Sequence, residues 1–329
     1  MASRFPLSIA PMMEYTDRHY RYFMRQITRK TLLYTEMVSA IAILRGDRDK
    51  LLAFSPEEHP IALQLGGDNP DELGEAIEVA ELYGYDEYNI NIGCPSDKVQ
   101  EGNFGACLMA TPEKVRELVA AMRSATDKPV TVKHRIGING RESYDDLVQF
   151  VETVNRARPH RFTVHARIAI LEGLSPKENR NTPPLRYEDV YRLKREFPAL
   201  EIEINGGVKS LDEAERHLTA VDAVMVGRAA YDAPFIFAEA DARIFGEAPR
   251  KLSRREVVER MYEYIDRAQE AGYHPRSVIR HMLGLFASQP GSRRWKQRLS
   301  GPLPEDLRGS RILKAALESV PSDVLDGVA

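Results

Sequence analysis

Eight short β-rich apolar runs, separated by stretches of helical periodicity, constrain this chain more than any other feature. The runs lie at residues 7–12, 32–38, 61–65, 87–93, 130–135, 161–165, 201–205 and 223–227. Amphipathic helices are predicted between them, for example over 71–83, 112–125, 144–155, 187–196 and 211–218. Near-continuous apolar strands alternating with such helices indicate a parallel sheet covered on its outer face. Eight units favour closure into a (β/α)8 TIM barrel, which takes about 250 residues. An open doubly wound sheet is the alternative, but it would carry a glycine-rich turn after its first strand. Here that strand runs into Ala10-Pro11-Met12-Met13.

Beyond Gly227 the strand pattern stops. Helices are predicted over 252–272, with Ser253 as N-cap, and over 276–288 and 308–319. The break at Gly246-Glu247-Ala248-Pro249 divides the chain into a barrel, 1–245, and a small all-α domain, 246–329. No apolar run approaches the ~20 residues needed to span a bilayer, and the N-terminus has no signal-peptide pattern. A cytoplasmic protein is expected, with no protein partner implied and a monomer as the expectation. The two cysteines, Cys94 and Cys107, lack metal spacing, so no metal site is expected.

The net charge of −3 does not by itself point to a polyanion. Its distribution does. From residue 250 onward there are fifteen Lys/Arg and ten Asp/Glu, a net +5, which leaves −8 on residues 1–249. Residues 271–304 contain no acid, but hold Arg276, Arg280, Arg293, Arg294, Lys296 and Arg298, with His274 and His281. A single-sign cluster of this kind is an electrostatic footprint for nucleic acid.

Barrel active sites form at the C-terminal ends of the strands. Standing there are Pro11-Met12-Met13, Glu36-Met37, Gln64, Asn91 with Cys94, Lys133 with Arg135, His165 with Arg167, Asn205-Gly206-Gly207 and Gly227-Arg228. The glycines after strands seven and eight, with Arg228, fit the barrel phosphate site, where backbone N–H groups approach the anion closely. Lys133 and His165 end consecutive strands and are expected to be neighbours. A cationic pair beside a flavin stabilises the negative charge of its reduced ring, and Gln64 can hydrogen-bond the flavin's amide-like edge. Cys107, among apolar neighbours, reads as a small buried hydrophobe.

Taken in order, Asn91-Ile92-Gly93-Cys94-Pro95, Gly105-Ala106-Cys107-Leu108-Met109, Val132-Lys133-His134-Arg135, Val164-His165-Ala166-Arg167, Asn205-Gly206-Gly207 and Val226-Gly227-Arg228 resemble the tRNA-dihydrouridine synthases. The opening Ala10-Pro11-Met12-Met13-Glu14-Tyr15-Thr16-Asp17 and the stretch Gly173-Leu174-Ser175-Pro176-Lys177-Glu178-Asn179-Arg180 are similar to the A subfamily in particular. The resemblance implies an FMN contacted by Pro11, Met12, Met13, Gln64, Lys133, His165, Asn205, Gly206, Gly207, Gly227 and Arg228. It implies NADPH or NADH as reductant, and Cys94 as the acid that protonates C5 of a D-loop uridine. It also implies tRNA contacts at Asn91, Lys177 and Arg180, and, by looser alignment, at Arg293, Arg294 and Lys296.

Two other functions compete. A flavin barrel acting on a free pyrimidine, similar to dihydroorotate or dihydropyrimidine dehydrogenases, would share the strand-end chemistry but leave the basic helical tail unexplained. A non-catalytic RNA chaperone on a barrel scaffold would bind no flavin.

Overall fold

A computed structural model describes residues 3–96, 99, 102–302 and 308–328. Outside it fall residues 1–2 and 329, the ends of the two expected domains, and Leu303 and Pro304, the end of the acid-free stretch. The strands are β1 (Leu7–Ile9), β2 (Leu33–Ser39), β3 (Ile61–Gly66), β4 (Glu87–Ile92), β5 (Val130–Arg135), β6 (Arg161–His165), β7 (Ile202–Asn205) and β8 (Ala223–Val226). All pair in parallel, in the order β1-β8-β7-β6-β5-β4-β3-β2. Leu32 closes the ring. It accepts the Ile9 N–H at 2.9 Å and donates its own N–H to the Leu7 carbonyl at 3.1 Å. The chain is therefore a closed (β/α)8 barrel.

β1 is shorter than the run 7–12. Pro11 has no N–H for the ladder, and the Met12 carbonyl is taken by the N–H groups of Tyr15 (3.1 Å) and Thr16 (2.9 Å) in a turn. The helices begin where local chemistry tells them to. Pro70 and Pro112 open Pro70–Glu81 and Pro112–Ser124, and a Ser143/Asp146 capping box opens Tyr144–Asn155.

Near-continuous apolar strands were the expectation, and it holds for β8 (Ala223-Val224-Met225-Val226) but not for most of the barrel. There the strands alternate. Leu7, Ile9, Leu63, Tyr88, Ile90, Val132, Val164, Ile204 and Val224 belong to the main core under the helices. The other face turns into the barrel and is largely polar, apart from a small apolar cluster that includes Leu32, Tyr34, Ala62 and Met225. Arg161 Nη2 donates to both Glu87 oxygens (2.6 and 2.7 Å) and to the Tyr34 hydroxyl (2.9 Å), and Ser8 Oγ donates to Glu203 at 2.6 Å. These bonds link β1, β2, β4, β6 and β7 across the barrel floor. Buried charges persist where they are paired in this way.

The C-terminal region is all-helical. Its helices are Arg254–Glu270, Pro275–Ile279, Ser292–Ser300, Gly309–Leu317 and Ser322–Asp326. Of the helix expected over 276–288, Pro275–Ile279 is α-helical and Arg280–Met282 continues it as a 3-10 turn, after which Gly284 lies against the end of helix Arg228–Asp232. A Cβ there would lie 2.6 Å from the Tyr231 carbonyl oxygen and 2.7 Å from that of Asp232. Ser292–Ser300 escapes sequence detection because only Trp295 and Leu299 in it are buried. The region docks on helix Arg18–Ile27. Tyr22 stacks on Tyr264 with ring centroids 3.8 Å apart, and His19 Nδ1 meets the Tyr264 hydroxyl at 2.8 Å. One core runs unbroken from the barrel helices into this region. No helix among the described residues is long and apolar enough to cross a membrane.

Candidate active site at the barrel mouth

The wall below the mouth is a ladder of side-chain amides and hydroxyls. Gln64 Nε2 donates to Asn89 Oδ1 (2.8 Å), Asn89 Nδ2 to Thr131 Oγ1 (2.9 Å), and Thr131 Oγ1 to Glu87 Oε1 (2.7 Å). Gln64 Oε1 accepts from Asn91 Nδ2 at 2.9 Å. The alternation of β3, β4 and β5 aims these groups inward at matching heights, since Gln64 pairs with Asn89 and Asn91 with Lys133.

Cys94 follows β4 in a loop fixed at several points. Asn91 Oδ1 accepts the N–H groups of Gly93 (3.0 Å) and Cys94 (2.9 Å). Arg135 Nε donates to the Gly93 carbonyl at 3.0 Å, and the Cys94 carbonyl accepts the Ala106 N–H at 2.9 Å. Gly105, at φ +80°, cannot be replaced without strain, because a Cβ would lie 2.6 Å from the Cys94 oxygen. Cys94 Sγ stays half-buried, 3.4 Å from Ser96 Oγ. Cys107 packs against the core and donates its thiol to the Phe104 carbonyl.

Lys133 and His165 come together as expected, although the register sets Arg135, not Lys133, directly beside His165. Lys133 makes no hydrogen bond or ion pair among the described residues. Burial pushes its ammonium down to about 8; the Arg135 charge adds to the fall, and Glu203 and Cys94 oppose it. Burial first, then the charges of Arg135, Lys133, Arg167 and Arg228, takes His165 well below the usual histidine range, so the ring is neutral at pH 7 and Lys133 is the one cation of the pair that was expected to be doubly charged. Its Nδ1 is buried without a partner.

On the far side, Asn205 Nδ2 donates to the Met225 carbonyl at 2.8 Å. Gly206 and Gly207 follow at φ +116° and +76°, packed so closely that a Cβ on Gly207 would lie 2.6 Å from both Leu185 and the Tyr187 hydroxyl. Gly227 has open space, with only the Ala10 Cβ at 4.0 Å. Arg228 opens the short helix Arg228–Asp232. It reaches the 178–181 loop, donating to Asn181 Oδ1 (2.8 Å) and the Arg180 carbonyl (3.3 Å). These partners are neutral, so its charge stays uncompensated. Pro11 and Met12 are half-buried beside Met13, which is 54 % exposed.

Lys177 and Arg180 are exposed on that same loop. Asn179, which carried no assignment in the sequence, organises it. Buried, it accepts the Ile170 N–H and donates to the carbonyls of Ile170 and Leu174. Arg135 ties the loop to Cys94 by donating to the carbonyls of Ile168 (2.9 Å) and Asn179 (3.1 Å). Both residues stand inside motifs quoted above, but nothing in their identity marks them as clamps. The mouth thus gathers Lys133, Arg135, Arg167, Arg180 and Arg228 around one cysteine, a rim suited to anions.

Arg293, Arg294 and Lys296 are not part of this cluster. They are exposed on helix Ser292–Ser300 and line an open groove with Ser319 and Pro321. The basic stretch divides. Arg276 donates to the Gly301 carbonyl, Arg280 and His281 bind Asp17, and His281 is fully buried, so these three serve the fold. Arg293, Arg294, Lys296 and Arg298 have no ion pair among the described residues.

The Dihydrouridine synthase (Dus) family pattern matches residues 8–311. A Synechocystis sp. protein described as tRNA-dihydrouridine(20/20a) synthase is 56 % identical over 95 % of this chain and 94 % of its own length. Proteins of the same description from Pseudomonas aeruginosa (53 %; 94 % of both chains) and Vibrio parahaemolyticus (50 %; 97 % of this chain, 98 % of that one) are similar. Among solved structures, a 2-naphthoyl-CoA reductase in complex with 2-naphthoyl-CoA matches with a TM-score of 0.50 at 12 % identity. That match covers 71 % of this chain and about half of the other, 49 %, and speaks for the barrel alone. By the extent of the family match and the identity to these relatives, the chain belongs to the dihydrouridine synthase family.

Proposed function

We propose that this chain reduces the C5=C6 bond of D-loop uridines in tRNA to 5,6-dihydrouridine, using bound FMN and NADPH or NADH in the cytoplasm. The mouth fits a flavin. Among the described residues, the Lys133 ammonium and the buried Nδ1 of His165 have no hydrogen-bond partner, and the backbone at Gly227 is open to an approaching group. Pro11, Met12, Met13, Gln64, Lys133 and His165 would hold the ring, and Asn205, Gly206, Gly207, Gly227 and Arg228 the phosphate end. The chemistry such a group supplies is a hydride, taken beforehand from the nicotinamide, for C6 of the uracil ring.

The chain's own residues do the rest. Cys94 gives its Sγ–H proton to C5, and the thiolate regains a proton from solvent. Asn91 holds Cys94 in place and meets the uridine. Lys177 and Arg180 bind the backbone of the extruded nucleotide, which must leave its stack to reach the barrel. In this reading residues 1–245 are the catalytic domain. Residues 246–329 bind tRNA, with Arg293, Arg294 and Lys296 on phosphates, which position without reading sequence.

The observation that carries the reading is a cysteine held at the rim of a mouth whose cations have no ion pair among the described residues. The test is anaerobic. The flavin is reduced with NADPH, excess reductant is removed, and tRNA from cells lacking this protein is added. Reoxidation with dihydrouridine formed in the tRNA is expected. Reoxidation by a free pyrimidine but not by tRNA overturns the substrate, and a protein that cannot be loaded with FMN overturns the reaction.

A further inference from the structure

Two of the exposed large hydrophobic side chains sit on one turn, Met13 (54 %) and Tyr15 (41 %), at the end of β1. The turn is closed from within. Met12 N–H donates to Thr16 Oγ1 at 3.0 Å, and the Met12 carbonyl accepts from Tyr15 and Thr16. Between them Glu14 is held at φ +67°, a conformation that non-glycine residues rarely adopt, with its N–H on the Glu36 carboxylate. Backbone strain beside a mouth is a pointer to function when the surroundings over-determine it.

The surroundings do. The Tyr15 ring packs on Tyr231 with centroids 4.4 Å apart. Tyr231 in turn meets Tyr20 (5.4 Å) and, edge-on, His281 (5.7 Å). His281 and Arg280 bind Asp17, two residues after Tyr15. The ring is thus backed by an aromatic cluster, the half-buried Tyr231 over the buried Tyr20 and His281, while two-fifths of the residue faces solvent. Its flank is cationic, because Arg180 interacts electrostatically with both Tyr15 and Cys94. A flat apolar surface next to a guanidinium group that has no ion pair among the described residues suits a nucleobase with its phosphates, and suits a lipid or an apolar peptide poorly.

We propose that Tyr15 is the stacking residue for the nucleobase next to the reacting uridine. This rests on the tRNA reading above. Drawing a uridine out of its stack uncovers a face of the neighbouring base, and a fixed aromatic ring beside the entrance replaces the lost contact. Tyr15 acts on the bound strand, not on the reacting atoms.

The test uses the full flavin-loaded chain with Tyr15→Phe, Tyr15→Leu and Tyr15→Ala, reading KM for tRNA and the saturating rate per bound flavin. Tyr15→Phe should stay within about twofold of wild type. Tyr15→Leu and Tyr15→Ala should raise KM on the order of tenfold at a retained saturating rate, since stacking is lost equally from bound and transition states. The salt dependence of binding should be unchanged, because stacking releases no counterions. Tyr15→Leu keeps apolar packing on Tyr231 and so decides the matter should Tyr15→Ala misfold. A wild-type KM in Tyr15→Leu, or a fallen saturating rate at unchanged KM, overturns the stacking role alone. Wild-type protein that tRNA fails to reoxidise overturns the tRNA reading and this role with it.

Discussion

Asn91 holds Cys94 by its backbone: the Asn91 Oδ1 accepts the Cys94 N–H at 2.9 Å while the Asn91 Nδ2 donates to Gln64 Oε1 at 2.9 Å. One amide therefore links the loop of the proposed acid to the glutamine expected at the flavin edge. Cys94→Ala should lower single-turnover uridine reduction by about 10²–10⁴-fold with FMN still bound, the usual range for a lost general acid. Asn91→Ala should cost roughly 10²-fold through misplacement of that acid. Because Asn91 works largely through Cys94, the double variant should be little slower than Cys94→Ala. Rates that multiply in the double variant would mean Asn91 acts on the substrate independently.

How far this centre could be read in the sequence is visible on β4. Glu87-Tyr88-Asn89-Ile90-Asn91-Ile92 alternates strictly, a period that the reading as an apolar run passed over although it encodes both the outer core and the inner polar ladder. The residues at strand ends were legible because a barrel dictates where its ends converge. Asn179 and Gly284 were not. The first acts through carbonyls of its own loop, and the second through contact with Tyr231 and Asp232, more than fifty residues earlier. Neither leaves a periodic trace. Likewise, the acid-free stretch looked uniform in sequence, but Asp17, more than 250 residues away, claims Arg280 and His281.

Lys133 should give flavin binding a pH dependence. Its ammonium, pushed down to about 8 by burial and then by Arg135, is charged below that pH and neutral above it. FMN affinity of the apoprotein should fall as pH rises through 8, and Lys133→Arg should remove that break. The stability of the apoprotein should respond with the opposite sign. Between pH 8 and the ~10.4 of a free lysine the unfolded chain binds more protons, so this group favours the fold increasingly as pH rises. An FMN titration flat from pH 7 to 9.5 would exclude a charged Lys133 from the flavin contact.

Arg161 neutralises the barrel floor. Its side chain is 4 % exposed and pairs with Glu87, while burial pushes the Glu203 carboxyl up and Arg161 opposes that rise. Breaking such a set from one side leaves buried carboxylates uncompensated, at a cost of about 3–5 kcal/mol. Arg161→Met should lower the unfolding free energy extrapolated from urea titration by that amount, and adding Glu87→Gln should recover part of it. A stability loss under ~1 kcal/mol, within the range of ordinary surface changes, would show that water reaches the floor.

Six histidines are held below their ordinary range, with burial as the largest cause in each: His19 and His134 at about 4, and His160, His165, His217 and His281 lowered in direction. The unfolded chain takes up protons from about pH 6.5 downward, whereas the folded one resists until lower pH. Stability should therefore fall steeply between pH 6.5 and 4, with His19 alone contributing on the order of 3 kcal/mol. Thermal melts of wild type and His19→Gln across that window check this, and the variant should show the shallower slope. Since His19 meets Tyr264, its protonation should also loosen the C-terminal helices, visible as faster amide exchange over Arg254–Glu270.

The exposed cations of helix Ser292–Ser300 give the last test. Deleting residues 250–329 would expose a core that runs from the barrel into the C-terminal helices, so loss of tRNA binding in such a truncation could be mere unfolding. Point changes avoid this, because Arg294 and Lys296 are exposed and have no ion pair among the described residues. Arg294→Gln and Lys296→Gln should each weaken tRNA binding without altering flavin content or the rate at saturating tRNA. Each should also reduce the slope of log affinity against log salt by roughly 0.7–0.9, one phosphate contact apiece. Arg298→Gln, one turn beyond Arg294 on the same helix, reports whether the contact extends along it. An unchanged slope in all three variants would leave this face to solvent and confine tRNA recognition to the barrel mouth, where Lys177, Arg180 and Arg228 would have to supply the whole electrostatic contribution.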